Sequence, residues 1–331
     1  MRRIIEKIKS RGVKAAQLEA IARANEGILE LQEVFPASDL SVREPFLTIL
    51  SEALPYTARY WVKCFEKPFE AYYVSKLLQE FSEPVEILDV GCGSGQLVAA
   101  AVKASGRDCI VDGLDDFSEK DTFEEVFLSH PCTRTLFNND FNDLSSFTER
   151  KYDLILGLNS IRMAPNISKT LGYLSAYLKQ DGKLVFNAIT NKFQERFFES
   201  SFQIATKHQH PDVDRWESAK NYIPTAYSLD KLKDEITGTE LKLLHYHTYM
   251  DLNVFSPYQF FVPAYQFLFE VASLYMKQPL DSDLAELYTT TYAKFVYNLT
   301  LSLPGFIDYQ YKNALTGAQD GCHMMATLNK V

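Results

Sequence analysis

The stretch VEILDVGCGSGQLVAAAV, residues 85–102, constrains this chain more than any other. It passes from an apolar strand pattern through Gly91, Gly93 and Gly95 into an alanine-rich helix pattern. Glycines at such a turn let backbone come close to a ligand where any side chain would collide. Two occupants compete: a dinucleotide, or a nucleoside cofactor without phosphates. The dinucleotide fingerprint is G-x-G-x-x-G, with its third glycine set for close packing of helix on strand. Here the spacing is G-x-G-x-G.

The pattern downstream alternates. VEILDV, CIVDGLD, TRTLFNND, YDLILGLN and KLVFNAI read as strands, with helix-like segments at 95–104, 119–129 and 167–179. Lys179–Gly182 makes the turn before the fifth strand. SLDKLKDEI then reads as a helix capped by Ser228, ELKLLHYHTYM as a sixth strand and GCHMMATLNKV as a seventh. Short apolar strands alternating with helices predict a doubly wound α/β sheet, here seven-stranded. Upstream, residues 2–33 and 43–81 have helical spacing, the second region broken by Pro55 and Pro68. The expected organisation is an N-terminal helical extension (1–82), an α/β core (83–249), a helical, aromatic-rich cap (250–318) and a final core strand (319–331).

In order along the chain these motifs resemble the class I S-adenosylmethionine-dependent methyltransferases. ILDVGCGSG matches that family's first motif. VDGLDDFS resembles its second-strand acidic motif and NNDFNDL its third. YDLILGLNSI and LKQDGKLVF resemble its fourth and fifth strands. The resemblance implies S-adenosylmethionine as cofactor. It places Gly91, Gly93 and Gly95 against the cofactor, Asp115 at the ribose, Asp140 at the adenine amine with Phe141 over the ring, and Asn159 after the fourth strand. Asp89 stands at a strand end, where it orients the loop or meets the methionine ammonium through water. A carboxylate at the end of a strand suits two ribose hydroxyls, and Asp116 is a rival to Asp115 for that role.

Composition narrows the partners. Net charge is −9, with no long Lys/Arg run, so a nucleic-acid partner is not expected and a small-molecule substrate is. Five scattered cysteines without C-x-x-C spacing fit reduced thiols in the cytoplasm, and no structural metal is expected. The basic start has no apolar run after it, so no secretory signal is expected. Residues 254–276 are long and apolar, but Pro257, Gln259, Pro263, Gln266 and Glu270 interrupt them. They read as buried helix, with no stable membrane insertion.

The acceptor end is less determined. Arg59, Tyr60 and Trp61 precede the first strand, where such a segment folds over the cofactor in the family. Tyr60 and Trp61 are substrate-side candidates or plain core. His208, His210, Asp212 and Asp214 form an H-x-H-x-D-x-D series, a base or chelate on one reading and a solvated loop on the other. His245 and His247 share one face of a strand, because side chains alternate. The leading reading is a methyltransferase acting on a small, apolar or aromatic-bearing metabolite. The rivals are a protein or RNA methyltransferase and a catalytically silent cofactor-binding protein. The position that carries N-P-P-Y in some of the former reads NSIR here.

Overall fold

The computed structural model describes residues 63–115, 121, 123–124, 132–138, 144, 147, 149–191, 226–249, 308, 311–316, 321 and 323–331. Seven strands form one sheet: β1 Val85–Val90, β2 Cys109–Asp115, β3 Cys132–Asn138, β4 Tyr152–Gly157, β5 Leu178–Ile189, β6 Leu241–Tyr249 and β7 His323–Lys330. Their order is β3-β2-β1-β4-β5-β7-β6. β1 to β5 are parallel, with Asp89 opposite both Gly113 of β2 and Leu156 of β4. The sheet is mixed, because β7 enters antiparallel between β5 and β6. The chain builds outward from β1 to β3 on one side and resumes with β4 on the other. That reversal leaves a crevice at the carboxyl ends of β1 and β4, where open α/β sheets bind ligands.

Among the described residues four α-helices flank the sheet: α1 Lys63–Leu78, α2 Gln96–Ser105, α3 Ile167–Tyr177 and α4 Leu229–Ile236. α3 and α4 cover one face. Leu171 and Leu174 of α3 and Leu232 of α4 pack there with Leu88, Val90, Ile155, Leu184, Phe186, Met324 and Leu328. Ser228 caps α4 as expected, its hydroxyl accepting the Lys231 N–H at 3.2 Å. Asn166 does the same for α3, taking the Lys169 N–H at 2.9 Å. α1 lies on the opposite face, with its Tyr73 hydroxyl 2.8 Å from Thr327 Oγ1 of β7 and Phe69 stacked on Tyr249 at 4.3 Å.

One expectation fails in α1. Pro68 does not break the helix, which continues through it to Leu78. Proline removes one helical hydrogen bond, but Phe69, Tyr72, Tyr73, Val74, Leu77 and Leu78 are all buried against the sheet and neighbouring rings. Packing of that apolar surface outweighs the local defect. Of the 250–318 segment, only Asp308 and 311–316 are described; Tyr311 packs edge-on against Tyr72 and Tyr73. Among the described residues no helix is long and apolar enough to cross a membrane.

Candidate functional site

The turn from β1 into α2 is made by three glycines with left-handed backbones: Gly91 (φ 70°), Gly93 (φ 51°) and Gly95 (φ 72°). L-residues with side chains seldom adopt this conformation. Gly91 and Cys92 donate their N–H groups to the Leu114 carbonyl of β2, at 2.7 and 3.3 Å, and Gly95 donates to the Cys92 carbonyl at 2.8 Å. Two of the glycines serve different ends. A Cβ on Gly91 would lie 2.3 Å from Ser160 Cβ, so Gly91 lets β4's exit segment press against the loop. A Cβ on Gly93 would meet no atom of the described residues within 4 Å beyond its chain neighbours, so among them open space lies above it.

Asp115, the last residue of β2, reaches back into this loop. Its Oδ2 accepts the Gly93 N–H at 2.6 Å. The carboxylate predicted for the ribose therefore also fixes the glycine turn. Asp89 is buried at the end of β1. Burial pushes its carboxyl up to about 7; nearby Lys67 opposes that shift and Asp115 adds to it. Burial, then the carboxylates of Asp89 and Asp115, pushes the Cys92 thiol up, which favours its protonated form.

Across the crevice, Asn159 follows β4 with φ 63°, a conformation that asparagine tolerates better than most residues. Its N–H donates to Asn187 Oδ1 of β5 at 2.6 Å, and its Nδ2 donates to both oxygens of Glu70 at 3.1 and 3.2 Å. Glu70, on α1, is fully buried. Its carboxylate also accepts from Asn187 Nδ2 (2.5 Å), the Tyr249 hydroxyl (3.0 Å) and Lys67 Nζ (3.0 Å). One carboxylate thus ties α1 to β4, β5 and β6. The Ser160 hydroxyl donates to the Val90 carbonyl and joins this knot to the glycine loop. Asn159 Oδ1 and Gln96 Oε1 are buried acceptors without a hydrogen-bond partner among the described residues. A buried acceptor in that state costs free energy unless a donor arrives.

The structure brings Asp89, the three glycines, Asp115 and Asn159 to one end of the sheet. Tyr60, Trp61, Asp116, Asp140, Phe141, His208, His210, Asp212 and Asp214 lie outside the described residues. His245 and His247 do share a face, with rings 5.5 Å apart and nearly parallel. They sit on β6, however, at the sheet edge, with β7 and β5 between them and β4. His247 is buried, its Nδ1 2.7 Å from the Ala314 carbonyl, and desolvation holds its pKa down. Among the described residues no group of His, Cys, Asp or Glu could hold a metal ion. Sequence reasoning missed Lys67, Glu70, Asn187 and Tyr249.

The residues fit S-adenosylmethionine. Open space above Gly93 takes a ligand that a side chain would displace, Asp115 offers a carboxylate at the strand end, and two buried acceptors await donors.

Comparison with curated proteins finds no match. Among solved structures, the chain is similar to the plantazolicin methyltransferase BpumL in complex with SAH, at 18% identity and TM-score 0.48, covering 95% of this chain and 98% of that one. It is also similar to a putative sarcosine dimethylglycine methyltransferase from Galdieria sulphuraria, at 15% identity and TM-score 0.45, covering 78% and 84%. A third is the [4+2]-cyclase SpnF, at 15% identity and TM-score 0.43, covering 78% and 80%. A family model described as a methyltransferase domain matches residues 65–246, more than half of the sequence. That match takes in α1 with its Glu70, the glycine turn and the strand-end carboxylates, and with it the chain belongs to the methyltransferase-domain family, as a class I enzyme that uses S-adenosylmethionine.

Proposed function

We propose that this methyltransferase acts in the cytoplasm on a small acceptor with apolar or aromatic character, enclosed by the cap segment at 250–318. The Asp115–Gly93 hydrogen bond carries the reading of the cofactor end, because it joins the ribose-side carboxylate to the loop that leaves room for a ligand. The aromatic richness of residues 250–318 supports the reading of the acceptor end.

The cofactor, when bound, supplies an activated methyl group on sulfur. The chain's own work is binding, alignment and exclusion of water. Gly93 leaves space above the turn, while the Asp115 carboxylate receives the ribose hydroxyls and keeps the turn in place. Asp89 faces the methionine ammonium through water; arrival of that cation favours its ionised form. Asn159 Oδ1 and Gln96 Oε1 accept from donors brought by the ligands. Asn159 is positioned for this because its N–H and its amide are both already committed, to Asn187 and Glu70. An amine or thiolate acceptor needs no protein base, whereas a hydroxyl or carbon acceptor needs one.

Calorimetric titration with S-adenosylmethionine, followed by methyl release assayed on a panel of small acceptors, tests the proposal. Binding with release on a small aromatic acceptor supports it. Binding without release on any small, peptide or RNA acceptor identifies a silent binder. Release on RNA or protein alone replaces the acceptor class.

A further inference from the structure

A second cavity opens directly beyond the segment that presses on the glycine loop. Ser160 abuts Gly91, and the 3-10 turn Ile161–Met163 follows it. From that turn the cavity, of about 580 Å³, extends between the start of α3 and the exposed flank of α4. Arg162, Asn166, Ser168, Tyr227, Lys231 and Glu235 are among its lining residues. Ser160 and Arg162 are separated by no more than about 7 Å of backbone, so the cavity borders the cofactor end of the sheet.

Its charges are unequally occupied. Glu235, the carboxylate of the lining, accepts a hydrogen bond from the Ser168 hydroxyl. The Lys231 ammonium lies 4.4 Å from the Tyr227 ring centroid, over its face, with no carboxylate partner among the described residues. Arg162 has none there either, and its Nε is buried without a hydrogen-bond acceptor. Two cations against one engaged carboxylate leave the lining one positive charge in excess. A guanidinium with a buried N–H to satisfy is best matched by a planar pair of oxygens, which takes two parallel N–H bonds at once.

We propose that this cavity binds a carboxylate carried by the methyl acceptor, with Arg162 and Lys231 as the residues that select it. The site rests on the methyltransferase reading only in identifying its ligand as the acceptor. The geometry then divides acceptor recognition into two parts. The charged end is anchored on Arg162 and Lys231, and the reacting end lies towards the carboxyl end of β4, from which Arg162 follows.

The test is a fluorine NMR titration of the full chain with 4-fluorobenzoate and 4-fluorobenzamide, with and without saturating S-adenosylhomocysteine. Saturable binding of the acid is expected, with the amide about tenfold weaker or more. Arg162→Gln and Lys231→Gln are each expected to weaken the acid about fivefold or more, with the thermal midpoint and S-adenosylhomocysteine affinity unchanged. Lys169→Gln, outside the lining, is expected to have no effect. Equal binding of acid and amide, or acid binding that survives both substitutions, would overturn the pocket. Displacement of the acid by inorganic phosphate at a tenth of the 4-fluorobenzoate concentration would replace carboxylate with a phosphoryl group. Calorimetry with S-adenosylhomocysteine judges the methyltransferase reading separately: a chain that takes the acid at Arg162 but not the nucleoside overturns that reading and leaves the pocket standing.

Discussion

Glu70→Gln exchanges one carboxylate oxygen for an amide NH2 and removes one charge without changing the side chain's size. In the native arrangement Oε1 receives Asn187 Nδ2 at 2.5 Å and the Tyr249 hydroxyl at 3.0 Å, while Oε2 receives Lys67 Nζ at 3.0 Å. Asn159 Nδ2 donates to both oxygens. If glutamine keeps its oxygen at the Oε1 position, its NH2 faces two donors, Lys67 and Asn159. If the amide turns round, the NH2 faces Asn187, the Tyr249 hydroxyl and Asn159. Asn159 Nδ2 bonds both oxygens and keeps one acceptor either way, so the NH2 is set against Lys67 in the first orientation and against Asn187 Nδ2 and the Tyr249 hydroxyl in the second. A hydrogen bond to a charged acceptor is worth about 1.5–3 kcal/mol, and breaking a buried ion pair from one side costs about 3–5 kcal/mol.

These contributions overlap, because the same contacts are counted in both. The expected loss is therefore about 3–5 kcal/mol, read by urea unfolding near neutral pH. The double substitution Lys67→Met/Glu70→Gln is expected to cost clearly less than the two single changes together, since both single changes remove the same ion pair. S-adenosylhomocysteine affinity is expected to fall as well, because Asn159 loses one of its two bonds to residue 70. A Glu70→Gln protein within about 0.5 kcal/mol of the parent, the range of an ordinary surface substitution, would refute the view that this carboxylate organises the crevice.

Asp115→Ala removes both the ribose acceptor and the Gly93 anchor, so S-adenosylhomocysteine affinity is expected to fall about tenfold or more by calorimetry; an unchanged affinity, with Asp116→Ala harmful instead, moves the role one residue along. Gly93→Val is expected to leave the fold in place at a backbone cost of about 1–2 kcal/mol and to abolish binding, because its side chain takes the open space above the loop. Gly91→Ala is expected to act on stability, through a Cβ 2.3 Å from that of Ser160, and Ser160→Gly should recover part of the loss in thermal unfolding. Asp89 has a folded-state carboxyl raised to about 7, so its contribution to stability is fully present below its unfolded pKa, about 4, and is lost as pH rises through 7. Asp89→Asn should flatten that slope in urea unfolding, and with it any rise in S-adenosylhomocysteine affinity above pH 7; a parallel slope in both proteins overturns the assignment.

Much of this site was legible because local chemistry required it. The three glycines adopt the left-handed backbones that make glycine necessary there, and β1 and β2 follow the apolar runs VEILDV and CIVDGLD residue for residue. Asp115 and Asn159 could be placed because each ends or follows such a run. The knot behind them was not legible, although both of its central residues left a trace. Asn187 interrupts the apolar run KLVFNAI. Glu70 falls in the buried stripe that continues through Tyr73, Val74 and Leu77, where a charge needs a partner. The partners are distant in sequence, since Tyr249 lies 179 residues from Glu70. No helical or strand period relates positions so far apart.

Tyr249 also depends on an irregularity that alternation cannot anticipate. Along β6, Leu241 and Leu243 face the α3/α4 side, and a strict period of two would send His245, His247 and Tyr249 there too. The register shifts between Leu243, opposite Leu328, and His245, opposite Thr327. Leu328 and Thr327 are adjacent in β7 and point to opposite faces, so the shift moves the rest of β6 to the other side of the sheet. His247 then meets Tyr73 of α1, and Tyr249 stacks on Phe69 and bonds Glu70. The residue at the shift, Leu244, is left exposed. That single extra residue is what brings a tyrosine from the sheet edge to the carboxylate that holds Asn159. A deletion of Leu244 should therefore reverse the face of His245–Tyr249 and separate Tyr249 from Glu70. Its effect on Asn187 and Asn159 should resemble Glu70→Gln more than it resembles the loss of a surface leucine.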